Sequence, residues 1–296
     1  MNSVTIDQSS MNYRHIYHAG NFADVFKHLI LTGLIDFLSK KEKSFFYLDT
    51  HAGIGNYHLI SELTQKKQEY KNGIFKVWKQ ELASLPILKR YFQTVKNWNL
   101  SQGSQDLEFY PGSPCLVKNL IRNQDRMVLT ELHGQDFEIL KDLFHGDRQV
   151  SVHHLDGYLA LKAFLPPKER RGLVFIDPPF EERNEYGKLF LNLRKIIHLW
   201  PTGIYAIWYP IKNLQQINHF YQQWKSSGIR KILCIELHLS EISSSALSAC
   251  GMIVINPPWQ FAETIKSEIQ DLTKLLAIPE SRSLENRYVM KWVVPE

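Results

Sequence analysis

Short apolar runs and longer amphipathic stretches alternate along most of the chain. Seven segments rich in β-branched and aromatic residues read as strands: Phe45–Asp49, Met127–Glu131, Val150–Leu155, Leu173–Ile176, Ile204–Trp208, Lys231–Leu237 and Met252–Asn256. Between most of them lie 10–25 residues of helical composition, such as Tyr186–Leu199 and Leu214–Ser226. Strands separated by helical stretches predict right-handed βαβ units and a mainly parallel sheet, an α/β fold. The last two strands are separated by about a dozen Ser-rich residues without a helix signal. Such a short connection predicts an antiparallel terminal hairpin at the sheet edge. Near the N-terminus, Val25, Leu29, Gly33 and Phe37 recur in steps of four, which predicts an amphipathic helix over Ala23–Phe37.

One gap breaks the rhythm. No convincing strand lies between Thr50 and Arg126, far more than an ordinary crossover needs. The pattern predicts a helical insertion subdomain at residues 57–106, within a domain formed by residues 13–56 and 107–296. Residues 1–12 are polar and uninformative and are expected to be a disordered extension. In the insert, lysines such as Lys66, Lys67, Lys71, Lys89 and Lys96 interleave with Tyr70, Phe75, Trp78, Tyr91, Phe92 and Trp98. Most of these aromatics suit the core of a small helical bundle, while the lysines suit either solvent or nucleic-acid phosphates.

Composition narrows the class. The 296 residues are 44% hydrophobic, enough for one large domain with an insertion. A net charge of +5 is compatible with a polyanionic partner without requiring one. Cys115, Cys234 and Cys250 form no CxxC pair or zinc spacing, so they read as buried free thiols and no metal is expected. The start lacks the apolar core of a signal peptide, and no run reaches membrane-spanning length. These features predict a cytoplasmic protein without a membrane partner.

The strand ends carry the chemistry. Residues 172–180 read Gly-Leu-Val-Phe-Ile-Asp-Pro-Pro-Phe, a buried strand that must leave the sheet where the prolines begin. Asp177, the Pro178 carbonyl and the Phe180 ring then stand at the carboxyl edge, where open α/β sheets bind ligands. A planar base with an exocyclic amine could stack on Phe180 and donate to Asp177 and Pro178. The first strand runs into Asp49-Thr-His-Ala-Gly-Ile-Gly55, a turn that admits close approach to the backbone. The second ends at Glu131, well placed to accept two ribose hydroxyls, and the third at Asp156-Gly157, where an adenine amino group could be seated. A single strand-end acid is often only a helix cap, but four in succession are harder to read that way. Asn256-Pro-Pro-Trp259 is a competing motif. It follows the seventh strand rather than the fourth, and reads as the structural end of the hairpin.

This arrangement is that of amino-methyltransferases that use S-adenosylmethionine, and the strand pattern is similar to their class I Rossmann-like sheet. His18-Ala-Gly-Asn-Phe-Ala-Asp-Val-Phe-Lys-His28, Tyr47-Leu-Asp-Thr-His-Ala-Gly53, Tyr110-Pro-Gly-Ser-Pro114, Thr130-Glu-Leu-His133, Asp177-Pro-Pro-Phe180, Tyr205-Ala-Ile-Trp-Tyr-Pro210 and Gly251–Trp259 follow in order. Together they resemble the RlmJ family of bacterial 23S ribosomal RNA adenine-N6 methyltransferases. The resemblance implies S-adenosylmethionine contacts from His28, His51, Ser113, Glu131, Asp156, Gly157 and Asp177. It implies Asp177 as catalytic acceptor with Pro178 and Phe180 beside it, and substrate-RNA contacts at Tyr13, His15 and Lys27. It further implies a monomer acting on 23S rRNA free of ribosomal proteins. Phe180 departs from the family's usual Tyr, which leaves the stacking face and removes a hydroxyl. The rival readings are an amino-methyltransferase acting on DNA adenine or protein glutamine, and a non-catalytic RNA-binding module.

Overall fold

The structure, a computed structural model, describes residues 14–78, 80, 85–182, 184–242, 246–277 and 287–296. The expected extension at 1–12, and Tyr13, lie outside the described residues.

The strands are β1 (Phe46–Asp49), β2 (Asn56–His58), β3 (Phe109–Pro111), β4 (Arg126–Glu131), β5 (Val150–His154), β6 (Gly172–Ile176), β7 (Ile204–Pro210), β8 (Ile232–His238), β9 (Ala249–Ile255) and β10 (Tyr288–Val294). The helices are α1 (Phe22–Ser39), α2 (Glu62–Gln65), α3 (Ile74–Val77), α4 (Pro86–Ser101), α5 (Ser113–Lys118), α6 (Gly134–Leu143), α7 (Gly157–Phe164), α8 (Glu185–Leu199), α9 (Leu214–Lys225) and α10 (Phe261–Leu276).

The main sheet has order β10-β8-β9-β7-β6-β1-β4-β5. From β5 to β7 neighbouring strands are parallel, and β9, β8 and β10 continue antiparallel. The α/β class and the antiparallel β8–β9 pair are as expected, but among the described residues the sheet has eight strands, not seven, and β10 takes the edge position expected for that pair. The added strand, β10, lies at the edge with Trp292 44% exposed. Its half-solvated face gives no buried-strand signature. The gap between Thr50 and Arg126 also holds two three-residue strands, β2 and β3, which pair only with each other. They are too short for their alternation to register in the sequence.

Every residue of β1 and β6 is buried, and each has a parallel neighbour on both sides, so these strands form the centre of the parallel half. Chain order reverses across them: β4 follows on one side of β1 while β6 and β7 follow on the other. The reversal opens a crevice above their carboxyl ends. One face of the sheet is covered by α1, α4, α5 and α10 in a common core, the other by α7, α8 and α9.

Helix α1 differs from its amphipathic expectation: every residue from Phe22 to Ile35 is buried. The sheet covers one side, and the helices between β2 and β3 cover another. Ile74, Ile87, Leu88, Tyr91 and Val95 of that segment share a core with Phe26 and Ile30. Tyr70, Tyr91 and Phe92 are buried, whereas Phe75 faces solvent, as do Lys66, Lys67, Lys71, Lys89 and Lys96. Among the described residues no helix is long and apolar enough to cross a membrane.

Candidate active site

A cleft of about 760 Å³ lies over the carboxyl ends of the parallel strands. One wall begins at α1. Asn21 caps this helix by accepting from the Asp24 N–H at 3.0 Å, and Asp24 accepts from the Gly20 N–H at 2.8 Å. These bonds fix the first turn, and Lys27 follows one turn later on the same face. The Lys27 Nζ lies 2.7 Å from Asp24 Oδ1 and 2.5 Å from Asp177 Oδ2, joining α1 to the end of β6. His15 Nε2 closes on Asp24 from the other side at 2.9 Å. Burial opposes ionisation of Asp24, but the charges of His15 and Lys27 win and hold its carboxyl well below the usual range.

His28 lies one residue further along, with Nδ1 2.8 Å from the Tyr110 hydroxyl. Burial pushes its imidazole down to about 3, so it is neutral at physiological pH. His51, in the turn after β1, is bonded through Nδ1 to Thr50 Oγ1 at 2.8 Å, and burial lowers it to about 4. Gly157 approaches this turn so closely that a Cβ would stand 2.5 Å from the Thr50 carbonyl oxygen. Only glycine fits there.

The four strand-end acids have different roles. Asp49 is wholly buried beneath the floor, with Tyr47 donating to it at 2.8 Å and Ser113 bonding it from the start of α5. Burial is the main cause that raises its carboxyl to about 6. Glu131 lines the cleft and accepts from the His133 N–H at 2.7 Å and the Gly53 N–H at 2.8 Å. Burial raises its carboxyl as well. Asp156 also lines the cleft, but it is the N-cap of α7: its Oδ1 accepts from Tyr158 and Leu159 at 2.9 and 3.0 Å. Capping, set aside in the sequence, therefore accounts for half of this carboxylate. Asp177 stands just past β6, and its side chain keeps 15% of its surface open to the cleft.

Phe180 follows at φ +52°, a left-handed conformation that turns the chain after the two prolines. Its ring packs on Tyr186 at 4.9 Å and edge-on to Trp208 at 5.8 Å. The Tyr186 hydroxyl is in turn fixed to the Pro210 carbonyl at 2.5 Å. The cleft thus gathers His15, Lys27, His28, His51, Ser113, Glu131, Asp156, Gly157, Asp177, Pro178 and Phe180. Trp208 and Asp24 belong to it as well. Trp208 had been visible only as one letter of an aromatic motif, and Asp24 as an acid in the first turn of a helix. Asn256 is elsewhere: its amide donates to the Pro201 and Gly203 carbonyls at 2.5 and 3.0 Å, closing the end of β9.

Residues 42–294 match the family model described as ribosomal RNA large subunit methyltransferase D, RlmJ. The chain is 43% identical over 288 residues to ribosomal RNA large subunit methyltransferase J of Haemophilus influenzae, covering 97% of this chain and 100% of that protein. Its counterpart in Escherichia coli K12 is 41% identical with the same coverage. The chain belongs to the RlmJ family. A crystal structure of a Legionella pneumophila protein superposes with a TM-score of 0.83 at 38% identity, covering 93% of this chain and 98% of that one. The RlmJ family model begins after α1 and so omits Lys27 and His28, but the alignments with the two relatives span almost the whole chain.

Proposed function

We propose that the protein methylates the N6 amine of an adenine in 23S ribosomal RNA, using S-adenosylmethionine. The observation that carries this is the open Asp177 carboxylate beside the Phe180 and Trp208 rings, in a cleft also lined by Glu131 and Asp156. The donor set fits the methyl donor. Two carboxylates can take a ribose diol and an adenine amine, and the neighbouring imidazoles of His28 and His51 are uncharged at neutral pH. A cationic sulfonium would meet no fixed positive charge from them. Glu131 would hold the ribose, Asp156 its adenine, and Ser113, His51 and Gly157 the surrounding wall. S-adenosylmethionine, when bound, supplies a methyl group activated by its positive sulfur.

The chain's own residues handle the acceptor. An adenine amine is a weak nucleophile because its lone pair is drawn into the ring. Asp177 Oδ2 is bonded to Lys27, which fixes the carboxylate at the cleft wall, and the acceptor base is assigned to Oδ1. Oδ1 and the Pro178 carbonyl accept the two N–H groups, localising the lone pair on nitrogen. Phe180 provides the stacking face for a base turned out of its helix, and Trp208 walls its edge. Positioning of this kind carries much of the rate in transfer reactions. His15 lies where the flanking nucleotides of the substrate would enter, with Lys67 and Asn72 of the insert beside it, while Lys27, buried between Asp24 and Asp177, acts on the RNA through the acceptor carboxylate. A flipped base must be reachable, which favours rRNA free of ribosomal proteins as the substrate of a monomeric cytoplasmic enzyme. The test is transfer of tritiated methyl to protein-free 23S rRNA by the wild type and by Asp177→Ala. Labelling should fall at least a hundredfold in the variant; wild-type turnover would overturn the assignment.

A further inference from the structure

At the sheet edge opposite the cleft, three segments converge at the starts of β1, β4 and β6: residues 39–45, 121–126 (which includes Arg126, the first residue of β4) and 167–171. They carry eight Lys and Arg against three Asp and Glu, an excess equal to the +5 net charge of the whole chain. Two arginines organise the cluster. Arg122 donates to the carbonyls of Ser39, Lys41 and Lys43 at 3.2, 2.7 and 3.2 Å. Arg171 donates to the carbonyls of Leu38 and Lys43. The carbonyls of the 39–43 segment are thereby drawn inward, while the side chains of Lys40, Lys41 and Lys43 are exposed. Lys168 and Arg170 are exposed beside them. Bringing Arg171 near Arg122 has a cost: burial first, then the Arg122 charge, lower its guanidinium from the ordinary value. A fold that holds like charges together on a rigid turn is suited to a polyanion.

We propose that this patch is a second RNA-binding surface, which grips backbone phosphates of the rRNA away from the methylated base. The proposal rests on the activity inferred above. From Phe45 to Thr50 the central strand advances roughly 17 Å, so the patch lies outside the reach of nucleotides next to the flipped base. A large folded RNA can touch both ends of the sheet; a short fragment held in the cleft cannot. The patch therefore adds affinity for long RNA without altering the chemistry.

The test compares wild type with K41E/K43E/R170E, none of which lines the cleft. Full-length 23S rRNA and the shortest fragment the wild type methylates serve as the two substrates, and filter binding to the full-length RNA as the second readout. The expected result is a KM for full-length rRNA raised about tenfold. The slope of log affinity against log salt should flatten by about 2–3, roughly one per lysine or arginine removed. Both kcat and KM on the fragment should be unchanged, which also shows that the variant is folded. Unchanged affinity and salt slope for the long RNA would overturn the proposal, and so would an equal loss on both RNAs. The neutral K41Q/K43Q/R170Q variant should give the same pattern with a smaller rise, and stands in if the charge reversal does not fold. A wild type that binds rRNA in a patch-dependent way but labels neither RNA would refute the methyltransferase activity and leave the patch intact.

Discussion

Asp49→Asn should make the protein more stable at pH 8 and slightly less stable at pH 4. Asp49 has no exposed surface, and its carboxyl is raised from 3.8 to about 6, chiefly by burial. Because the folded value is the higher one, the protonated carboxyl favours the fold below pH 3.8, and this stability is lost as pH rises through about 6. Roughly two units at 1.36 kcal/mol each make ionised Asp49 a cost of about 3 kcal/mol at pH 8, falling to about 0.5 kcal/mol at pH 4. Asparagine removes the charge. It keeps one acceptor oxygen, so one of the bonds from Tyr47, Ser113 and the His51 N–H is weakened, costing about 1 kcal/mol. The net gain is about 2 kcal/mol at pH 8, with a Tm higher by about 3 °C, and a small loss at pH 4. Thermal melts of both proteins across this range measure the difference. A shift of the same sign and size at pH 8 and pH 4 would refute the reasoning, because no titrating group would then separate the two.

Three further outcomes follow from the geometry. Gly157→Ala sets a methyl group 2.5 Å from the Thr50 carbonyl, so it should cost about 1–3 kcal/mol and weaken S-adenosylmethionine binding at least tenfold by calorimetry. Lys27→Met leaves Asp24 with its bonds to His15 and Gly20 but removes the buried ammonium, and should cost about 3 kcal/mol in denaturant melts at pH 7. Asp24 is depressed in the fold, so its stabilisation is present above 3.8 and fades as pH falls below it; the gap between Lys27→Met and wild type should narrow there. Asn256→Ala loses two hydrogen bonds at φ +53° and should cost about 1–3 kcal/mol, with methyl transfer per folded molecule unchanged; a loss of turnover would give this motif a chemical role.

The parallel half of the sheet was legible because its strands are buried on both faces and read as uninterrupted apolar runs, Leu173–Ile176 above all. Strand β10 was not, because an edge strand with exposed Lys291 and Trp292 has no such run. The period of α1 was misleading in a different way. A step-four apolar stripe also occurs in a helix whose other face is covered later in the sequence, and here α4 and α10 supply that cover. Nothing local to residues 23–37 encodes this, since the covering residues lie from Ile74 onward.

The acids show what a strand-end pattern can and cannot resolve. All four were visible as residues that stop an apolar run, but their oxygens are spent differently. Asp49 is bonded from below the floor, Asp156 uses Oδ1 on its own helix, and Glu131 uses both oxygens on backbone N–H groups. Asp177 alone of the four is tied to a buried cation, and that cation comes from a helix 150 residues earlier. The sequence places an acid at the edge; the fold decides whether it faces a ligand by supplying or withholding other partners. The Lys27 contact sets Asp177 apart from the other three acids, as the role proposed for it toward the acceptor base requires. Its geometry depends on the same first turn of α1, capped by Asn21, that holds Asp24. A change at Asn21, itself in the cleft wall, would therefore act on the carboxylate through two buried charges.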